Sequence, residues 1–276
     1  MSQLWKIGLP MYLLSEQNQD YYDLFLQYFI KEIKRLGFKD NIEIISKFPE
    51  DLYIWWQDQD VLFTQCCGYP LIKSLKDQVQ LIAKPDYAVV GCENGYYRSV
   101  LITHRDNIFD SLNSFIDQRI VINQIDSNSG MNVLRAEITA LVDDKPYFQT
   151  VKISGSHLNS IQAITEHRAD LAAIDCVSFA YIEKFRPELL KDIRILCYSV
   201  QSPALPIIAS KKLKDQYKNL VFHALKNMLK LHPQLCQALL IKDFLTTDLK
   251  EYQKILDLEK QAQLIQFDFN QDLSLI

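Results

Sequence analysis

A chain of 276 residues with 48% hydrophobic and 23% charged residues carries enough apolar material for a real core and has room for two compact lobes. Its formal net charge of −4, with no basic run interleaved with aromatics, argues against nucleic acid or an anionic membrane surface as partner. No stretch approaches the roughly 20 apolar residues of a membrane span, which argues against insertion. Met1 leads straight into the strand-like Leu4–Gly8 without a charged segment, an apolar run and a small-residue cleavage site, so the chain as written reads as cytoplasmic. Six cysteines at 66, 67, 92, 176, 197 and 236 lie in or beside apolar segments and read as free thiols.

In chain order, Leu4 to Leu9 reads as a strand, followed by a helix in which Tyr21, Phe25, Tyr28, Phe29, Ile33 and Leu36 recur at helical spacing until Gly37. Ile42 to Ser46, Val61 to Gln65 and Val79 to Ala83 read as strands, with a short helix at Leu52 to Trp56. This alternation predicts a parallel sheet. The pattern breaks from Pro85 to Gly95, and the next elements are a strand at Tyr97 to Thr103, a helix at Asn107 to Phe115 and a strand at Arg119 to Asn123. A helix with Met131, Leu134, Ile138 and Leu141 on one face, the strand Thr150 to Ile153, a helix through Leu158, Ile161 and Ile164, and the strands Asp170 to Asp175 and Ile193 to Tyr198 follow. From Lys211 the glycine-free remainder reads as amphipathic helices packing back on the first lobe. Crossings near Pro85–Gly95 and Ser199–Pro206 place residues 1–92 and 200–276 in one lobe and 93–199 in the other, with a ligand cleft at the hinge.

Two polar segments carry the chemistry: Asp126-Ser127-Asn128-Ser129-Gly130 and Ser154-Gly155-Ser156-His157. Each sits between a β-branched run and a helical pattern. The first N–H groups of a helix lack intrahelical partners and carry the positive end of its dipole, so such turns hold anions. Serines are also ordinary helix caps, so either turn alone is balanced between the two roles. Two such turns close together favour a shared small anionic ligand. His157 lies within the second turn, where a ring N–H can donate to a ligand oxygen or the side chain can simply face solvent. The other histidines show no metal spacing, and no metal or cofactor is implied.

These pieces, with Gly8-Leu9-Pro10-Met11-Tyr12, Gln65-Cys66-Cys67-Gly68-Tyr69-Pro70 and Ala169-Asp170-Leu171-Ala172-Ala173-Ile174-Asp175, resemble the substrate-binding proteins of phosphate, phosphite and phosphonate ABC transporters. The resemblance covers most of the chain. It implies the α/β, two-lobed type II periplasmic-binding-protein fold, each lobe a mainly parallel sheet flanked by helices. It further implies that Tyr12 and Tyr69 line the cleft from the first lobe and that Ser127, Ser129 and Ser156 hold the anionic head; Gln65, Asn128, Gly130, Ser154 and His157, in the same segments, complete the candidate ligand-binding set. Asp175 matches an acid that grips a ligand ammonium in aminophosphonate binders, or else caps the helix near Val177. Asn128 stands where that loop commonly carries a further hydroxyl. Trp55 and Trp56 either stack on a ligand or divide between core and surface.

The function so implied is that of a monomeric small-anion solute-binding protein closing two lobes on its ligand, with an ABC transporter as partner and a periplasmic location if the family's usual role holds. The rival is a cytoplasmic enzyme on the same scaffold, a lyase or synthase acting on a small carboxylate or phosphorylated metabolite. His157, Asp175, Cys66, Cys67 and Glu93 are its candidate groups, but they form no recognisable catalytic pair.

Overall fold

The computed structural model describes residues 3–139, 141 and 150–263. By contact the chain forms two units, one made of Met1–Tyr96 and Pro203–Tyr252, the other of Tyr97–Ser202 and the chain from Gln253. The first opens with β1 (Leu4–Gly8), α1 (Glu16–Arg35), β2 (Asn41–Ile44), α2 (Leu52–Trp56), β3 (Val61–Gln65), the single turn α3 (Gly68–Pro70) and β4 (Val79–Tyr87). The short strand β5 (Tyr96–Tyr97) leads into the second unit. That unit holds β6 (Ser99–His104), β7 (Arg119–Ile122), α4 (Val133–Thr139), β8 (Thr150–Ile153), α5 (His157–Thr165), β9 (Leu171–Asp175), α6 (Cys176–Phe185) and β10 (Ile193–Tyr198). The return runs through β11 (Ser202–Pro203), which pairs with β5, to β12 (Ile207–Ser210), α7 (Asp215–Leu231), α8 (Pro233–Ala238), β13 (Ile241–Leu245) and α9 (Leu249–Gln263).

Local signals account for α1. The Ser15 side chain accepts from the Asn18 N–H and starts the helix, Tyr22, Phe25, Leu26, Phe29 and Ile33 form its buried stripe, and Gly37 at φ +104° turns the chain away. The stripe packs on the first unit's sheet, with Phe29 edge-on to Phe63 at 4.5 Å and Phe25 tilted against Phe244 at 6.3 Å. Each buried ring stabilises the unit by about 1.5–3 kcal/mol.

Both sheets are α/β and mixed. The six strands of the first unit run in the order β13-β4-β12-β3-β1-β2; only β3-β1-β2 is parallel, while β12 is antiparallel to β3 and β4, and β13 to β4. The five strands of the second run β10-β6-β9-β7-β8, with β9-β7-β8 parallel and β6 antiparallel to both its neighbours. The mainly parallel sheets expected from alternation are therefore corrected. β12 enters directly from the return crossing and runs against the local βα units, and β13, which lies in the glycine-free tail read as helical, returns against β4 after α7 and α8.

Pro85 does not end β4. Pairing with β12 reaches only Ala83, so from Lys84 onward β13 is the ladder partner, and Pro85 sits opposite Phe244 beside a register shift. Of the helix expected at Asn107–Phe115, only a 3-10 turn at Leu112–Phe115 forms. Asn107 Oδ1 instead accepts from the Phe109 N–H, and Arg194 donates to the carbonyls of Asn107 and Phe109, which holds that backbone out of a helix. Leu141 is exposed rather than on a buried stripe. The final helix does not lie wholly with the first unit, because its residues from Gln253 belong to the second. Residues 264–276 lie outside the described residues.

Glu32 ties α1 to α7. Its carboxylate accepts from Arg35 Nε and Nη2, both at 2.7 Å, and from Asn227 Nδ2 at 2.6 Å, while 4% exposed. The hydrogen bond from Arg35 holds its pKa below the usual 4.5 against the opposing effect of burial. A depressed carboxylate contributes stability above its unfolded pKa and loses it as pH falls through the folded value. Glu32→Gln is expected to cost about 1–3 kcal/mol at neutral pH. Urea unfolding should show that difference shrinking below the ordinary carboxylate range.

Candidate functional site

Three parallel strands of the second unit, β9, β7 and β8, end side by side, and a helix begins beyond each carboxyl end. Ligands of α/β sheets bind at such edges because unpaired helix N–H groups face them. The turn after β7 is capped by Ser127, whose hydroxyl accepts from the Gly130 N–H at 3.1 Å. Ser156 caps α5 by accepting from the Asn159 N–H at 3.1 Å. Asp175 caps α6, its Oδ1 accepting from the N–H of Val177 at 2.7 Å and of Ser178 at 3.2 Å.

The two serine turns are joined. Ser154 N–H donates to the Ile122 carbonyl and Gly155 N–H to the Asn123 carbonyl, each at 2.9 Å, and Gln124 Nε2 reaches back to the Gly155 carbonyl at 3.1 Å. Across them, Ser129 Oγ lies 3.5 Å from Ser127 Oγ and 3.0 Å from His157 Nε2. The Asp175 N–H also donates to His157 Nε2, at 3.4 Å. Thus Ser127, Ser129, His157 and the α6 cap residue form one neighbourhood.

The imidazole is neutral. Burial pulls its pKa from 6.5 down to about 4. Because a backbone N–H can only donate, Nε2 is the acceptor and the ring proton belongs on Nδ1, which is buried with no hydrogen-bond partner. Nδ1–H is thus a buried donor without a partner, on a ring whose Nε2 faces the Ser129 hydroxyl. Ser154 is different: its hydroxyl bonds to Ser160 Oγ at 2.7 Å and to the carbonyls of Ser156 and Ile122, entirely inside the unit. Asn128 is fully buried; its Nδ2 donates to the Tyr97 hydroxyl and its Oδ1 accepts from Asn132 Nδ2.

Gly130 is required by space. A Cβ there would stand 1.9 Å from Asn123 Oδ1 and 2.7 Å from Asn123 Cγ. Asn123, Asn132, Tyr97 and Ser99 all support the first turn and were not singled out from sequence. The signal for Asn123, Tyr97 and Ser99 is a polar or hydroxylated side chain at the end of an otherwise apolar run; Asn132, between Met131 and Val133, is a polar residue inside one.

In the first unit, Tyr12 and Tyr69 follow the parallel strands β1 and β3, and Gln65 ends β3. Tyr12 packs edge-on to Tyr87 at 5.7 Å, and Gln65 Nε2 donates to the Tyr87 hydroxyl at 3.3 Å and to the Leu205 carbonyl at 3.1 Å. Lys73 Nζ lies 5.6 Å over the Tyr69 ring. Trp55 and Trp56 are both buried, donating to Thr64 Oγ1 at 2.8 Å and to the Gln65 carbonyl at 3.1 Å, so neither is a surface residue and both brace β3. Burial raises the Cys66 thiol well above its usual pKa, with neighbouring Cys67 adding to the effect, so Cys66 is an inert thiol. Among the described residues no group of three His, Cys, Asp or Glu side chains is placed to hold a metal ion, and no helix is long and apolar enough to cross a membrane.

A family model described as ABC transporter, phosphonate, periplasmic substrate-binding protein matches residues 56–252. The fold is shared with a binding protein component of an ABC phosphonate transporter from Pseudomonas aeruginosa, at 17% identity and TM-score 0.76, covering 95% of this chain and 87% of that one. It is shared as well with PhnD1 from Prochlorococcus marinus in complex with methylphosphonate, at 14% identity and TM-score 0.77 over 95% and 98% of the two chains. A Xanthomonas citri protein bound to ATP matches at 14% identity and TM-score 0.69, over 95% and 98%. No curated protein matches in sequence.

Two outcomes are expected from this geometry. Gly130→Ala should lower stability by about 1–3 kcal/mol through overpacking, and Asn123→Ala should restore part of the loss in the double variant, as read by urea unfolding. For His157, the unfolded chain takes up a proton before the folded one as pH falls, so stability is full above about 6.5 and declines toward 4. His157→Gln should remove that component of the acid dependence, measured as the pH profile of the denaturation midpoint.

Proposed function

This chain belongs to the family of phosphonate ABC-transporter periplasmic substrate-binding proteins, and from that membership we propose that it takes a small phosphonate- or phosphate-like anion at the carboxyl edge of β9, β7 and β8. The solute-binding role is the family's; the ligand and its contacts are the proposal. The observation that carries it is the neighbourhood of Ser127, Ser129 and His157, where two hydroxyls and a neutral imidazole with an unused N–H stand beside the first backbone N–H groups of three helices.

This donor set suits a tetrahedral oxyanion. Hydroxyls, backbone N–H groups and Nδ1–H supply hydrogen bonds without a buried lysine or arginine, so no second charge has to be desolvated when the anion enters. Ser127, Ser129 and His157 are assigned to the head group, together with the N–H groups around Ser156. Ser154, Asn128 and Gly130 are assigned to the support of the turns, in keeping with their internal bonds. Asp175 already accepts two backbone N–H bonds at the start of α6, which favours its capping role over an ammonium grip. A ligand without an amine is compatible with that assignment, and methylphosphonate, held by the Prochlorococcus marinus protein, is one. Tyr12 and Tyr69 are carried as further contacts on the resemblance of their motifs, with closure of the two units on the ligand and delivery to a transporter as part of the same reading.

The test is a thermal-shift panel with phosphate, phosphite, methylphosphonate, aminoethylphosphonate, sulfate and carboxylated metabolites. A compound at a hundredfold its Kd stabilises the folded state by about 2.7 kcal/mol, which should raise the midpoint by several degrees. The rise should appear with a phosphonate or phosphate and vanish in Ser127→Ala/Ser129→Ala. A rise that persists in the double variant would move the site elsewhere, and no rise with any oxyanion would overturn the reading.

A further inference from the structure

The first serine turn is wired to each place where the main chain passes between the two units. Those passages lie at 96/97, 202/203 and 252/253. Tyr97 is the first residue beyond the first of them, and its hydroxyl accepts from Asn128 Nδ2 at 3.0 Å. Ser99, two residues on, donates through Oγ to the Ser129 carbonyl at 2.8 Å. Its own N–H donates to Ser199 Oγ at 2.9 Å, shortly before the second passage. Asn132 Nδ2 donates both to Asn128 Oδ1 at 3.1 Å and to the Ile255 carbonyl at 3.0 Å, just beyond the third.

These groups are out of reach of water. Asn128 and Asn132 are fully buried, and Tyr97, Ser99 and Ser199 are 2%, 1% and 1% exposed. A buried hydrogen bond that breaks leaves both partners without a substitute, so groups linked in this way move together or lose the full desolvation cost of each end. Asn128 is suited to the junction because its amide donates on one side and accepts on the other.

We infer that Asn128 and Asn132 are positioning residues that couple the state of the anion turn to the three segments connecting the units. Occupancy of the turn is thereby felt at 97–99, at 199 and at 255, and the conformation of those segments in turn sets how well the turn is organised for its anion, as linkage requires. This rests on the anion-binding reading only for the nature of the signal; the wiring itself is independent of it.

Hydrogen exchange of the full chain tests the inference, with methylphosphonate and inorganic phosphate as separate probes. In the native chain a bound probe should slow exchange at 126–131 and also at 97–100, 199–202 and 253–257. In Asn132→Ala the slowing should persist at 126–131, disappear at 253–257, and be accompanied by about tenfold weaker binding, the effect of one buried hydrogen bond. Asn128→Ser, which breaks the link to Tyr97, is the second variant should Asn132→Ala fail to fold, and should lose the response at 97–100. A ligand-free arm uses Ser127→Ala as the perturbation: it should quicken exchange at both 126–131 and 253–257 in the otherwise native chain, and only at 126–131 when combined with Asn132→Ala. Responses at 253–257 that survive Asn132→Ala, or that are absent from both arms, would overturn the coupling. Coupling in the ligand-free arm without binding of either probe would uphold this inference and overturn the anion reading alone.

Discussion

The second unit depends on one constraint: β9, β7 and β8 are parallel neighbours, so their carboxyl ends meet and three chain reversals into helices must share one edge. Each reversal exposes N–H groups that the helix cannot satisfy itself. Ser127, Ser156 and Asp175 answer part of that need from within the chain. The remainder, together with the donor on His157 Nδ1, adds unpaired hydrogen-bond donors to an edge whose one buried carboxylate, Asp175, is already engaged with the α6 N–H groups. Hydrogen-bond donors left over in this way are of the kind an anion can use.

Neutrality follows from burial rather than from composition. His157 would carry a charge for part of the physiological range at an ordinary pKa, but its surroundings favour the uncharged ring and draw the value to about 4. The first unit manages charge differently. There Lys84, 4% exposed, is paired with Glu251, and its ammonium lies 4.3 Å over the Tyr96 ring, while Tyr96 donates to the same carboxylate at 3.2 Å. Tyr252 donates to the Ala204 carbonyl at 2.8 Å. The residues that begin or end the connecting segments on the first unit's side are thus held by a charge-assisted cluster, whereas those on the second unit's side are held by the neutral amides of Asn128 and Asn132.

Much of the fold was legible because it rests on local periodicity and punctuation. The stripe of α1 and its end at Gly37, the strands Val61–Gln65 and Thr150–Ile153, and the serine turns that open helices all follow from spacing, caps and turn chemistry. The antiparallel strands β12 and β13, the extension of β4 through Pro85 and the irregular backbone at Asn107–Ser111 were not legible. Each is decided by a partner distant in sequence: β13 accepts Pro85 as a neighbour, and Arg194 holds the carbonyls that a helix would have used.

The same division runs through the site. From its residues alone the chain determined that two hydroxyl-bearing helix starts would lie at strand ends, that they would suit an anion, and that the motifs as a set resemble a phosphonate-binding family. Only the tertiary structure decided which of those side chains remain available. It turned Ser154 and Asn128 inward, set Asp175 Oδ1 against the first N–H groups of α6, buried both tryptophans behind β3, and placed Asn123 where Gly130 leaves room. The reason is that capping, turn formation and amphipathic burial depend on neighbours a few residues away, whereas the partner of a polar side chain is settled by the strands that happen to lie beside it.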